Sequence, residues 1–123
     1  MLFRSVDDVF VIAGDAQEPA GPYEGAADLL ADILSIDIEL PSIGIAAYPD
    51  GHPLISEADL VNALRTKQAM LFEAGRSAYA ATQMCFDPTH ILAWLGRERE
   101  MGLRLPVVLG LPGVVAQIGR AHV

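Results

Sequence analysis

The groups best suited to chemistry lie in two segments, Gly44-Ile-Ala-Ala-Tyr-Pro-Asp-Gly-His-Pro53 and Ala80-Ala-Thr-Gln-Met-Cys-Phe-Asp87. Each begins as a short run of small or apolar residues that reads as a buried strand. Each ends in polar groups able to act on a ligand. Tyr48 offers a flat amphipathic ring, and His52 a donor for a phosphate or ribose. The amide of Gln83 donates and accepts at once. A third carboxylate, Asp15, follows an apolar run and Gly14. Asp59, Arg65 and Lys67 lie on the stretch between the two segments, and a mobile ammonium suits a diphosphate. Bland readings stand beside these. Asp15 alone reads as a turn or cap aspartate, His52 as a residue held in a tight Gly-Pro loop, and Arg65 with Lys67 as a solvated basic pair. Asp87 is explained by helix capping. His90 and Trp94 attract no functional assignment.

Polar groups at the C-terminal ends of strands, with helices between the strands, are how α/β barrels build active sites. Val9–Ile12 is β-rich, and a helix fits Tyr23 to Leu34 with Ala26, Leu29, Leu30 and Ile33 on one face. Gly44–Ala47 is the second strand. Ser56 caps a helix that runs to Ala74, with Leu60, Leu64, Leu71 and Ala74 on its stripe and Gly75 to stop it. Ser77–Met84 is the third strand. Asp87-Pro88 opens a helix with Ile91, Trp94, Leu95 and Met101 on its buried face, ended by Gly102. Pro106–Leu109 is the fourth strand. The order β-α-β-α-β-α-β predicts a parallel sheet with right-handed crossovers. Periodicity leaves a half-barrel and a small doubly wound sheet equally open. The lack of a Gly-x-Gly-x-x-Gly turn argues against a dinucleotide fold of the Rossmann kind.

Composition bounds the function. The 123 residues suffice for one small domain with a core. A net charge of −8 argues against nonspecific nucleic-acid binding. No apolar stretch has the length of a membrane span, and no signal peptide is recognisable, so no membrane role and a cytoplasmic setting are expected. The single cysteine, Cys85, permits no internal disulfide and fits no zinc pattern; it reads as a small packing residue, and no metal site is expected.

The two segments together resemble the methylenetetrahydrofolate reductase family. Tyr48-Pro-Asp-Gly-His52-Pro53 is similar to that family's Tyr-Pro-Glu-x-His-Pro signature after the fifth barrel strand, and it is the most specific match. Thr82-Gln83 with Phe86-Asp87 is similar to its Thr-Gln-x-x-Phe-Asp after the sixth. Gly14-Asp15 corresponds to a Gly-Asp after the fourth, although Ala13 stands where the family usually has arginine. Pro106–Gly113 matches the seventh strand and its loop less specifically. The resemblance covers most of residues 9–115 and looks like a bacterial branch.

It implies a partial (β/α)8 TIM barrel, about half a barrel, with four parallel strands and three helices. It also implies an enzyme that reduces 5,10-methylenetetrahydrofolate to 5-methyltetrahydrofolate with FAD and NAD(P)H, in one-carbon and methionine metabolism. By the same resemblance Gly14, Asp15, Tyr48, His52, Asp59 and Lys67 bind the cofactor, and Arg65 competes with Lys67 for the FAD phosphates. Asp15 serves catalysis and, with Gln83, binds the folate. The spacing departs from the family's commonest pattern: the loop after His-Pro is shorter and the helix to Gly75 longer. The whole protein is expected to be a homo-oligomer. Other readings are a tetrahydrofolate-dependent methyltransferase or demethylase on a related barrel, and a non-catalytic cofactor-binding subunit.

Both ends admit a different origin. Met1-Leu-Phe-Arg-Ser5 can be encoded by GTG CTC TTC CGA TCT, and Ile118-Gly-Arg-Ala-His-Val123 by ATC GGA AGA GCA CAC GTC. These are reverse complements up to the shared edge and match a common sequencing adapter. The expectation is that residues 1–5 and 118–123 are translated adapter, outside fold reasoning. Residues 6–117 would then be a partial TIM-barrel domain, an interior piece of a longer protein, with strands four to seven. The family's general-acid glutamate, on its first strand, would lie outside the chain. The fragment alone is expected to be inactive.

Overall fold

A computed structural model describes residues 7–13, 21–36 and 42–112. The elements are β1 (Asp8–Val11), α1 (Ala26–Ser35), β2 (Ser42–Ala47), α2 (Glu57–Glu73), β3 (Ala78–Met84), α3 (Pro88–Glu100) and β4 (Val107–Gly110). All three strand pairs are parallel, and the sheet order is β1-β2-β3-β4. Sequential parallel neighbours are the barrel pattern, whereas a doubly wound sheet reverses its strand order. The molecule is therefore an α/β partial barrel with four parallel strands and three helices.

One core joins the three helices to one face of the sheet. Val11, Ile43, Ile45, Ala47 and Ala80 meet Leu30 of α1, Leu64 and Leu71 of α2, and Trp94 of α3. Ile43, Ile45, Leu30 and Leu71 are fully buried, each worth about 1.5–3 kcal/mol relative to exposure. The alternating positions Phe10, Gly44 and Tyr79 lie in one cross-strand row on the other face. There the Tyr79 ring lies over Gly44, where a Cβ would collide with it. Its hydroxyl sits 2.8 and 2.9 Å from the two carboxylate oxygens of Asp8. Desolvation first, and the Asp8 carboxylate second, push this phenol above its usual range.

The helix ends follow the sequence signals. Ser56 Oγ accepts from the Asp59 amide at 3.2 Å, and Asp87 Oδ1 from the Thr89 amide at 3.0 Å. Gly75 and Gly102 have φ of +67° and +106°. After each, the chain closes a Schellman pair: Arg76 N–H to Leu71 O at 3.0 Å, and Leu103 N–H to Glu98 O at 2.9 Å.

Three details differ from expectation. α1 starts at Ala26, because the extended Gly25 is its N-cap; Tyr23 instead bonds back to Asp32 at 2.8 Å. Met101 caps α3 and is half exposed, and Ala74 is exposed just past the end of α2. The buried stripe of α2 carries Lys67 and Gln68 beside Leu64 and Leu71. Gln68 is fully used there: its Nε2 donates to Gly102 O at 3.0 Å, and its Oε1 accepts from the amides of Arg104 and Leu105. It holds the turn from α3 into β4. The stretches 1–5 and 118–123 lie outside the described residues.

Candidate functional site

The chain leaves β2 through a turn, with the Gly51 amide donating to Tyr48 O at 3.1 Å and Gly51 at φ +83°. The loop then folds back so that His52 bridges to Ile55. His52 Nδ1 accepts the Leu54 amide at 3.1 Å. An imidazole nitrogen that accepts carries no proton, so Nε2 holds it and is the ring's outward donor. The rings of Tyr48 and His52 meet edge to face, with centroids 5.3 Å apart at 89°. One sequence motif thus produces one compact loop at the C-terminal end of β2.

That loop roofs a cleft of about 320 Å³ between α2 and α3, whose lining includes Tyr48, Pro49, Glu57, Lys67, Trp94 and Glu98. Lys67 is only 7% exposed, and among the described residues it has no hydrogen-bond or ion-pair partner. Burial lowers its pKa below the ordinary lysine value. Arg65 is differently placed. Its Nη2 lies 2.7 Å from Glu98 Oε2 and donates to Glu98 O at 3.1 Å, while Nε donates to Met101 O at 3.0 Å. These bonds tie Arg65 to the C-terminal end of α3, and of the pair Arg65 and Lys67 it is Lys67 that lines the cleft, with Arg97.

Gln83 belongs to a second feature. Ala81 pairs with Val108 but Met84 with Gly110, so β3 carries one extra residue against β4. The bulge falls on Thr82-Gln83. Thr82 Oγ1 accepts the Gly110 amide at 2.8 Å, and the Cys85 amide reaches Gly110 O at 2.8 Å. A Cβ on Gly110 would lie 2.6 Å from Thr82 O. Bulges re-aim side chains at the rims of barrels. Here Thr82 and Cys85 are buried, and Gln83 is exposed one step past the Ala47–Thr82 pair, level with Tyr48.

The structure thus brings Tyr48, His52 and Gln83 to the C-terminal ends of adjacent strands, and Tyr48 and Lys67 to one cleft. Asp59 is exposed on the first turn of α2 and is not part of the cleft lining. Gly14 and Asp15 lie outside the described residues. Sequence reasoning missed His90, whose Nε2 lies 2.9 Å from Pro49 O and 3.1 Å from Asp50 Oδ1. Its position one turn into the helix after a strand end was the available signal. Among the described residues no cluster of His, Cys, Asp and Glu could hold a metal ion, and no helix is long and apolar enough to cross a membrane.

Fold and loops define a class: a segment of a (β/α) barrel whose polar motifs sit at the C-terminal rim of the sheet, where barrel enzymes place their chemistry. The family model for methylenetetrahydrofolate reductase matches residues 8–117, and the chain belongs to that family. It is 28% identical over 91 residues to methylenetetrahydrofolate reductase 2 of Saccharomyces cerevisiae; the match covers 74% of this chain and 15% of the yeast protein.

Proposed function

We propose that the protein to which this chain belongs is a flavin-dependent oxidoreductase that reduces 5,10-methylenetetrahydrofolate to 5-methyltetrahydrofolate at the expense of NAD(P)H, in one-carbon and methionine metabolism. The observation that carries this reading is the buried Lys67, unpartnered among the described residues, in a cleft roofed by the Tyr48–His52 loop, in a chain of this family. A desolvated ammonium without a counter-charge is the donor a diphosphate needs, so the residues present fit FAD. When bound, the flavin supplies the hydride chemistry between nicotinamide and folate.

The chain's own residues bind and orient. Lys67 meets the phosphates, with Asp59 at the start of the same helix as a further contact. Tyr48 gives its ring, and His52 its Nε2 proton, to the dinucleotide. Gly14 lets the backbone approach the cofactor, and Asp15 tunes the flavin and orients the pterin. Gln83, turned outward by the bulge, matches the mixed donor–acceptor edge of the pterin. The whole protein works as a homo-oligomer in the cytoplasm.

The test is the full-length protein purified with its flavin. NADH should bleach the flavin absorbance and methylenetetrahydrofolate should restore it. Gln83→Ala should keep the bleaching and lose most of the folate-dependent recovery. Folate binding without flavin would favour a folate-dependent methyltransferase or demethylase, and binding of neither a non-catalytic subunit.

A further inference from the structure

The bonds inside the loop after β2 are local: Gly51 to Tyr48, Leu54 to His52, and the His52–Ile55 bridge. They fix the loop's shape. A connection of longer range is made by His90, 41 positions along the chain from Pro49. Its ring reaches from the first turn of α3 to the Pro49 carbonyl at 2.9 Å and the Asp50 carboxylate at 3.1 Å. Both acceptors converge on Nε2, which must therefore carry the proton, as it does in one neutral tautomer and in the imidazolium.

The first turn of α3 is a firm base for this contact. It is capped by Asp87, begun by Pro88 and pinned by buried Ile91. The His90 side chain is 43% exposed, so it contributes little to the core. Tyr48 and His52 flank the two tethered residues, so a shift at Pro49 moves both rings.

We propose that His90 is a positioning residue that anchors the Tyr48–His52 loop of one βα unit on the helix of the next, holding both rings in place for the dinucleotide. The cofactor half of this inference rests on the flavin reading above; the anchoring half does not. Preorganised ligand contacts bind more tightly because less freedom is lost on binding.

The test compares His90→Ala and His90→Gln with the unsubstituted protein, reading amide hydrogen exchange in the 123-residue chain and FAD affinity by flavin fluorescence in the full-length protein. His90→Ala should speed exchange at the Gly51 and Leu54 amides about tenfold and leave the interior of α3 unchanged. FAD affinity should fall about fivefold. The His90→Gln amide can still donate to Pro49 O and should recover much of both. Unchanged loop exchange in His90→Ala overturns the proposal. So does faster exchange throughout α3 and β3 without recovery by glutamine, which assigns His90 to general stability. If FAD fails to bind the unsubstituted full-length protein while the loop amides respond as expected, the flavin reading falls and the anchor stands.

Discussion

Lys67 is held in the fold at a cost, and that cost has a sign. Burial lowers the pKa of its ammonium, so the unfolded chain binds the proton more tightly than the folded one. The penalty is complete below the folded pKa and is relieved as pH climbs from there toward the ordinary lysine value of 10.5. Lys67→Met should therefore raise stability at pH 7 by about 1 kcal/mol, with a smaller gain near pH 10. The same change should weaken FAD binding, the trade expected of a binding residue. Urea unfolding at the two pH values reads this; an equal loss of stability at both would contradict it. The burial of Lys67 was partly legible: it lies three residues after Leu64 and four before Leu71, on the apolar stripe. Its lack of a partner was not, because that depends on where Glu98 turns, and Glu98 turns to Arg65. The place of His90 in the helix was legible, but its contacts were not, for a similar reason. Its partners belong to a loop that only the sheet register brings alongside.

Among the elements, the end of β3 departs furthest from a regular strand. The Thr82 hydroxyl stands in for a ladder acceptor, and Gly110 leaves room for the close backbone approach. Thr82→Val keeps the volume and removes the acceptor, which should cost about 1–3 kcal/mol with the Gly110 amide left unpaired. Gly110→Ala drives a methyl group into the Thr82 carbonyl and should cost about 3 kcal/mol. Both should also displace Gln83, seen as weaker folate binding in the full-length protein. Denaturant midpoints for the two variants check the first part; values within 0.3 kcal/mol of the parent, roughly the scatter between independent sites, would show the bulge is dispensable. Helix ends at Gly75 and Gly102 were readable because caps are local. The bulge was not, since it is a mismatch of count between two strands far apart in the chain.

At the scale of the whole molecule, the alternation of strand and helix foretold a parallel sheet, but periodicity does not encode strand order, and only the order separates a barrel from a doubly wound sheet. The face opposite the helices shows Phe10 at 44%, Ile12 at 52% and Val108 at 52% exposure, and β1 and β4 each have one neighbour among the described strands. Residues 6–117 given FAD, NADH and methylenetetrahydrofolate should show no folate-dependent NADH oxidation. On the proposed reading a proton donor and part of the flavin wall would come from strands other than these four, and loose geometry forfeits most of the rate. Turnover on the order of 1 per second or more would defeat the assignment of these strands. The sequential sheet order has a bearing on biosynthesis as well. Phe10 meets Gly44, Gly44 meets Tyr79, and Ala81 meets Val108, so each new strand needs only the one made just before it. A chain leaving the ribosome N-terminus first can therefore add each unit to a template already in place, without waiting for a distant partner. Nascent chains arrested after α2 should already protect the β1 and β2 amides from exchange, and a lack of protection until β4 has emerged would show that the units assemble all at once.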